Sequence, residues 1–177
     1  MPGGTALDAG GMDSTTPSAL RVRTFLEQEP VIWLSTSRPD GAPHLVPTWF
    51  AWDGETILIR SKPEARKVRN LQHDPRAMLA LGDADDDFDV GLLEARGEVE
   101  ESTGAGLPSA FLAKYDQRIA ALGLTPDEFA STYSATIRLR PARALGWHGR
   151  SQPRSLLDAA RRLAFGPPTP APALGAA

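Results

Sequence analysis

The chain has 177 residues, of which 41% are hydrophobic and 23% charged, as is typical of one soluble globular domain. Its formal net charge of −3 gives no general attraction for nucleic acid, so any anion site must be local. The absence of cysteine excludes thiolate catalysis, disulfide bonds and cysteine-ligated zinc. No stretch is apolar for long enough to cross a bilayer, and a chain without disulfides is expected in the cytoplasm.

Both ends of the chain are predicted to lie outside the folded domain, which should cover residues 18–148. Residues 1–17 are rich in Gly, Ser and Thr and lack the apolar core of a signal peptide, so we expect them to be disordered. Residues 149–177 form a C-terminal extension with an amphipathic stretch at 154–165 that predicts a helix. Four prolines follow Gly166, so the last residues should be disordered.

The first half of the domain predicts a helix and then an antiparallel meander of three strands. The helix should cover residues 18–27, and the strands residues 31–37, 44–52 and 56–61. Asp40-Gly41 and Asp53-Gly54 are hairpin signals, because glycine accepts the positive φ of a tight turn. Pro47 removes a hydrogen-bond donor from the second strand, which places it at a bulge or a sheet edge. Tight hairpins argue against a parallel nucleotide-binding sheet.

The second half adds three more strands among helices. Helices are predicted at 64–73, 108–122 and 126–133, and strands at 76–81, 88–99 (interrupted or bent near Gly91 and Gly97) and 136–140. Thr125, Pro126 and Glu128 have the order of a helix cap, a first-turn proline and a first-turn acid. Six antiparallel strands with peripheral helices predict a mainly β fold, a closed or partly open barrel.

The strongest candidate for a binding site is residues 60–70, where the third strand ends and a basic helix begins. Helix N-termini expose unpaired N–H groups and a partial positive charge, so they bind phosphate well. Hydrogen bonds would come from Ser61 and from the guanidinium of Arg60 or Arg66, with Lys67 as a point charge. The alternative interpretation is a solvated basic helix face paired with acids elsewhere.

A second candidate is residues 44–50, where Pro47 distorts the strand. Backbone groups that leave the ladder there are free to meet the edge of a planar heterocycle, and Trp49 and Phe50 can border its ring. Plain core packing is the alternative for both aromatic residues.

Motifs of other enzyme classes are missing from the sequence. It contains no GxGxxG, P-loop, GxSxG or HExxH pattern, and His44, His73 and His148 lack metal-ligand spacing. Each histidine is therefore interpreted as a surface or hydrogen-bonded side chain. The acidic run at 83–89 has a phenylalanine where a calcium loop needs glycine, so we interpret it as a loop between strands. Because no acid–base pair or nucleophile is visible, the protein either is not an enzyme or relies on a cofactor.

Several segments in order resemble a known family. They are Trp33-Leu34-Ser35-Thr36 before Asp40-Gly41, Val46-Pro47-Thr48-Trp49-Phe50 before Asp53-Gly54, Arg66 to Leu71 before Asp74-Pro75-Arg76, and Ile137 to Arg143. Together they resemble the pyridoxamine 5'-phosphate oxidase-like split-barrel superfamily, and within it the F420-dependent branch of flavin/deazaflavin oxidoreductases. The resemblance covers about residues 18–148.

The resemblance implies a homodimer with two cofactor sites and hydride transfer from reduced coenzyme F420 to a small organic acceptor. The implied phosphate contacts are Arg60, Ser61, Lys62, Arg66 and Lys67. The ring would lie beside Val46, Pro47, Thr48 and Trp49, and Trp147 would approach from the partner subunit. No catalytic side chain and no metal is implied.

Two alternatives remain open at this stage. Relatives that bind FMN would use the same basic turn, so an FMN-dependent oxidase or reductase is one alternative. A non-catalytic split-barrel protein that sequesters a flavin or haem is the other.

Overall fold

Four helices and seven strands form the described part of the chain, residues 17–83, 89–101 and 106–147 of a computed structural model. The helices are α1 (Pro17–Gln28), α2 (Arg66–His73), α3 (Ser109–Ala121) and α4 (Pro126–Thr132). The strands are β1 (Ile32–Ser37), β2 (Pro43–Thr48), β3 (Ala51–Trp52), β4 (Ile57–Ser61), β5 (Arg76–Asp83), β6 (Asp89–Glu101) and β7 (Ala135–Trp147). The predicted disordered segment covers residues 1–17, but Pro17 begins α1. Residues 1–16, the predicted helix at 154–165 and the tail after Gly166 lie outside the described residues. Within the described ranges, no helix combines the length and apolarity needed to cross a membrane.

All seven strands belong to one antiparallel sheet with the order β2-β1-β5-β6-β7-β4-β3. Seven flat strands would place β2 and β3 about 29 Å apart, at about 4.8 Å per strand. Only Trp49 and Phe50 separate β2 from β3, and the three Cα–Cα steps from Thr48 to Ala51 span at most about 11 Å. The sheet must therefore curl until its two edges approach each other. The mainly β split barrel predicted from the sequence is confirmed.

The predicted number of six strands is wrong, because the run 44–52 is two strands. β2 pairs with β1, whereas β3 pairs with β4 at the opposite end of the sheet. The break at Trp49 and Phe50 is set by the closure of the barrel and not by a local turn signal. Pro47 lies in the edge strand β2, as predicted.

The predicted interruption of the fifth strand near Gly91 or Gly97 is also wrong. β6 runs unbroken from Asp89 to Glu101, and its pairing with β7 shifts between Glu94 and Ala95. These residues face Arg143 and Pro141, so β7 holds one extra residue beside a proline that cannot donate to the ladder. The two glycines allow close packing instead. A Cβ on Gly97 would lie 3.0 Å from side-chain atoms of Leu71 and Leu139.

Two apolar clusters lie on opposite faces of the curled sheet. The main core fills the concave side and includes α1, α2 and inward-facing strand residues such as Leu26, Ile32, Ile59, Leu71 and Leu93. The second cluster joins α3 and α4 to β3 and β4 through Ala51, Leu58, Phe111, Tyr115, Ile119 and Phe129. The predicted start of α4 is confirmed, because Thr125 and Glu128 form a reciprocal capping box. These helices cover the face of β4 that the main core leaves bare.

Candidate cofactor site

The N-terminus of α2 lacks the features that usually neutralise a helix start. Its N-cap residue Ala65 has no side-chain acceptor, and its first turn contains no acidic residue. Arg66 and Lys67 open the helix, which adds two cations to the partial positive charge of the helix dipole. This helix start therefore has the composition of an anion site.

A buried hydrogen bond fixes where this helix start lies. Asn70 donates through Nδ2 to Thr36 Oγ1 at 2.9 Å, and both side chains are buried. Arg66 and Lys67 lie four and three residues before Asn70, so they are on the same side of the helix, one turn upstream. Because Thr36 pairs with His44 in the β1–β2 ladder, the two basic residues lie beside that pair.

Three cations lie close enough to His44 for their charges to act on its pKa. Burial, followed by the charges of Arg66, Lys67 and Arg38, lowers the pKa of His44 below its ordinary value. Arg66 and Lys67 come from α2, and Arg38 comes from the turn between β1 and β2. The Nδ1 atom of His44 is enclosed and has no hydrogen-bond partner among the described residues. Four side chains from three elements therefore lie near one another. We call Arg38, His44, Arg66 and Lys67 the cation cluster.

Lys67 is the most enclosed of these cations. Its side chain is half-buried, and desolvation lowers its pKa. Arg66 is exposed, and Arg38 forms an ion pair with Asp40 at 2.6 Å. A partly desolvated ammonium binds an entering anion more strongly than one in bulk water, because the local dielectric constant is lower.

A strand edge leads away from the cation cluster. β2 ends the sheet, so one side of its backbone has no strand partner within the described residues. Val46 and Thr48 share the face of His44, at roughly 7 and 13 Å along the strand for a rise of about 3.3 Å per residue. Both side chains are partly exposed. A row of partly exposed side chains therefore runs along this edge from His44.

Arg60 lies on the other face of β4. Ile59 and Ser61 face the main core, whereas Arg60 follows Leu58 toward α3 and α4. Its guanidinium donates to the carbonyl of Ala130 at 3.0 Å and to the hydroxyl of Thr136, and burial lowers its pKa. Ala130 belongs to the last turn of α4, where unpaired carbonyls and the negative end of the helix dipole favour a cation. The structure therefore does not bring Arg60 together with Arg66 and Lys67.

The remaining predicted site residues do not all lie in one place. Ser61 is buried and its hydroxyl donates to the carbonyl of Lys62 at 3.3 Å, while Lys62 is exposed. Pro47 is exposed opposite Trp33. Trp49 packs into the second cluster, stacked on Tyr115 with ring centroids 4.8 Å apart. The backbone of Trp147 ends β7 opposite Val90, and its side chain lies outside what the structure describes.

The sequence interpretation missed two members of the cation cluster. His44 was interpreted as a surface or hydrogen-bonded histidine, yet its Nδ1 is enclosed without a described partner. Arg38 was assigned only to a turn. The available signal was the hairpin itself: a tight turn at Asp40-Gly41 brings residues on both sides of it back together, so Arg38 and His44 return to the same end of the sheet.

An apolar surface adjoins the same edge strand on the outside of the sheet. Trp33, Leu45 and Met78 have exposed fractions of 47%, 59% and 36%. Trp33 pairs with Pro47, and Ser35 pairs with both Leu45 and Met78, so these side chains are neighbours on one face of β2, β1 and β5. We call Trp33, Leu45, Pro47 and Met78 the outer apolar face. Clustered exposure of this kind marks an interaction surface.

The curled antiparallel sheet, with α2 packed on β1 and β6, defines a split β-barrel. The chain belongs to the pyridoxamine 5'-phosphate oxidase family, whose model matches residues 20–148. The family includes oxidoreductases. No curated protein matches the chain.

Solved structures share this fold. An F420 reductase is 26% identical with a TM-score of 0.56, and the match covers 70% of this chain and 94% of that one. A conserved hypothetical protein of Mycobacterium tuberculosis is 24% identical, with a TM-score of 0.60 and coverage of 80% and 91%. HutZ, described as a haem storage protein from Vibrio cholerae, is 16% identical, with a TM-score of 0.54 and coverage of 74% and 95%. At these identities the last two establish the fold alone.

Proposed function

We propose that the protein is an F420-dependent oxidoreductase that transfers a hydride between the deazaflavin and a small organic acceptor. The observation that carries the proposal is the cation cluster of Arg38, Arg66, Lys67 and His44 at one end of the open edge strand β2. The likeness to an F420 reductase at 26% identity supports deazaflavin over FMN.

The residues present fit a phosphorylated planar cofactor. The uncapped start of α2 and the cluster supply donors for a phosphate group, and Ser61 and Lys62 lie at the same turn. Val46, Pro47, Thr48 and the backbone of Trp49 offer a strand edge to the ring. Arg60 has an indirect part in this proposal: it fixes α4 on β4 while its neighbour Ser61 faces the core side.

The protein's own contribution is binding, orientation and exclusion of water. A bound reduced deazaflavin supplies two electrons as a hydride, so neither a nucleophile nor a metal is required from the chain. Fixing the phosphate at α2 sets the register of the molecule along β2. Backbone groups of β2 hold the ring edge, so that an acceptor meets one face of the ring.

The working unit in this proposal is a homodimer that joins through the outer apolar face. β2 carries Leu45 and Pro47 on that face, and its free edge is the proposed binding surface for the ring. A partner subunit docked there therefore lies next to the ring and can bring Trp147 toward it.

Cofactor titration tests the proposal. The purified protein is titrated with coenzyme F420 and, separately, with FMN, and binding is followed by fluorescence. We expect micromolar F420 affinity to fall by about ten-fold or more in Lys67→Ala and in Arg66→Ala, the loss expected for one charge-assisted hydrogen bond. Arg69→Ala is the matched control, because Arg69 is exposed on the same helix two residues after Lys67. Far-ultraviolet circular dichroism verifies that each variant is folded.

The same experiment separates the alternatives. A yellow protein as isolated, or FMN affinity above that for F420, points to the FMN-dependent activity. Binding of either cofactor without turnover over a panel of unsaturated and heteroaromatic acceptors points to sequestration. If neither cofactor binds, or if Arg69→Ala weakens binding as much as Lys67→Ala, the proposed site is wrong.

A further inference from the structure

His44 is the side chain of the cation cluster whose charge changes most readily near neutral pH. Histidine has an ordinary pKa of about 6.5, whereas arginine and lysine ionise far above neutrality. Its position is fixed by the register Thr36–His44 and by the hydrogen bond from Asn70 to Thr36, which holds α2 against the same ladder. His44 therefore lies between the basic helix start and the turn that carries Arg38.

The surroundings of His44 favour the neutral ring when no anion is bound. Burial and the charges of Arg66, Lys67 and Arg38 all act in that direction, and Asp40 offsets part of the Arg38 charge through their ion pair. A protonated ring would be a fourth positive charge in the cluster. It would also place an N–H at Nδ1, an enclosed atom without a described acceptor.

A bound dianion reverses this balance. Two negative charges among Arg38, Arg66 and Lys67 remove the repulsion that opposes protonation of the ring.

We propose that His44 takes up a proton from solvent when a phosphate group, or another dianion of that size, binds in the cation cluster. His44 then acts as a positioning residue that becomes cationic only with the ligand in place. The inference rests on the proposed function for the identity of the ligand, but not for the existence of the anion site. Binding of the anion is then coupled to the uptake of one proton. The affinity for the anion should therefore increase as the pH falls from the pKa of His44 in the complex to its lower pKa in the free protein.

Proton NMR tests this directly, because the chain contains only three histidines. The imidazole resonances of the full-length protein are titrated with pH in sodium chloride and in sodium sulfate at equal ionic strength. Sulfate stays dianionic throughout, so only the protein titrates. The His44 resonance is assigned by its loss in His44→Gln.

We expect sulfate to raise the titration midpoint of His44 by about one pH unit, the lower end of the effect of an adjacent opposite charge. His73, exposed at the far end of the same helix, is the internal control and should not move. Lys67→Ala in chloride should raise the midpoint of His44, because one repelling cation is gone. Equal shifts of all histidines, or no shift of His44, overturn the inference.

Calorimetry with the cofactors distinguishes this inference from the proposed function. Titration of F420 or FMN in two buffers of different ionisation heat measures the protons taken up, with riboflavin as the phosphate-free control. Uptake should occur with FMN, whose phosphate monoester is a dianion, and disappear in His44→Gln; F420, whose phosphodiester carries a single charge, should cause less uptake. FMN binding without proton uptake contradicts the role of His44 and leaves the proposed function standing. A sulfate-dependent His44 shift in a protein that binds neither cofactor supports the anion-linked proton and contradicts the proposed function.

Discussion

At the scale of single residues, the hydroxyl of Tyr115 connects segments that are far apart in the chain. It accepts a hydrogen bond from the N–H of Phe50 at 3.0 Å and lies 2.8 Å from the carbonyl oxygens of Phe50 and Pro30, to one of which it donates. Burial raises the pKa of Tyr115 to about 12, so the hydroxyl keeps its proton. It therefore fixes the crossover between the two edges of the sheet, directly after the proposed ring-binding strand.

Tyr115→Phe should destabilise the protein by about 1–3 kcal/mol, because it leaves the buried N–H of Phe50 without its partner while keeping the ring stacked on Trp49. The free energy of unfolding in urea is the measurement. Tyr133→Phe is the matched control, since Tyr133 is the only other tyrosine and is partly exposed, and it should change stability by less than about 0.5 kcal/mol. Equal effects of the two substitutions would contradict the anchoring role of the Tyr115 hydroxyl.

Lys114 predicts a pH dependence of stability. Its ammonium lies 3.6 Å from the centroid of the Phe50 ring and 3.5 Å from the carbonyl oxygen of Leu26, and burial lowers its pKa to about 8 against a partial opposing effect of Glu29. The unfolded chain keeps this proton up to a pH of about 10.4. Between these values the unfolded state binds more protons than the folded state, so the free energy of unfolding should increase with pH.

The pH dependence is measured as the difference between wild type and Lys114→Met in urea unfolding from about pH 7 to about pH 9, below the ordinary titration range of tyrosine. The free energy of unfolding of wild type minus that of the variant should increase as the pH rises. Lys62→Met is the control, because Lys62 is exposed. If this difference in the free energy of unfolding does not change with pH, burial does not lower the pKa of Lys114.

At the scale of elements, α1 lies on the sheet with almost no space between them. A Cβ on Gly91 of β6 would lie 2.7 Å from Cγ2 of Val22 and 3.3 Å from a ring carbon of Phe25. The ion pair of Arg21 with Asp89, at the start of the same strand, holds the helix in place. A glycine at position 91 is therefore required by the close approach of the helix.

Gly91→Ala should cost about 1–3 kcal/mol, the usual effect of overpacking a close-packed contact. Gly106→Ala, where an added Cβ meets nothing within 4 Å, is the control and should be near neutral. Thermal unfolding followed by circular dichroism measures both. If the two substitutions shift the midpoint equally, the close approach of α1 to β6 is wrong.

Local chemistry explains which elements could be predicted from the sequence. The hairpin signals Asp40-Gly41 and Asp53-Gly54 have positive φ at both glycines, and the cap at Thr125 forms as expected. These signals act over a few residues. The break between β2 and β3 depends on how the barrel closes, and the partners of Arg60 at Ala130 and Thr136 lie 70 and 76 residues away. No local pattern specifies such contacts, so Arg60 could not be assigned to α4 from the sequence.

The candidate site also has one part that could be predicted from the sequence and one part that could not. The basic start of α2 is a local feature and could be predicted, because Arg66 and Lys67 directly follow a strand and a turn. Its convergence with Arg38 and His44 depends on strand register and on one buried hydrogen bond from Asn70. Sequence spacing alone does not contain that register.

At the scale of the whole molecule, the outer apolar face argues for a second copy of the chain as its partner. This face includes Leu45 and Pro47 of the edge strand β2, which is proposed to bind the cofactor, together with Trp33 and Met78 on the strands beside it. A two-fold interface needs one self-complementary patch, and about 800 Å² per subunit is typical of stable pairs. The outer apolar face is a candidate for such a patch.

Leu45→Arg should convert the proposed dimer to a monomer of 19.0 kDa, because the new charge would be buried without a partner at the proposed contact. Light scattering coupled to size exclusion measures the mass. Leu122→Arg is the matched control, because Leu122 lies just after α3, outside the outer apolar face, and has a similar exposed fraction of 57%. This variant should keep the mass of the wild type.

If β2 contributes both to the subunit contact and to the cofactor site, the monomeric Leu45→Arg variant should also bind the cofactor more weakly, even though every residue of the cation cluster is intact. A dimeric Leu45→Arg variant would place the interface elsewhere. A monomeric wild type would exclude the homodimer, so that the residues of a single subunit would have to bind the ring.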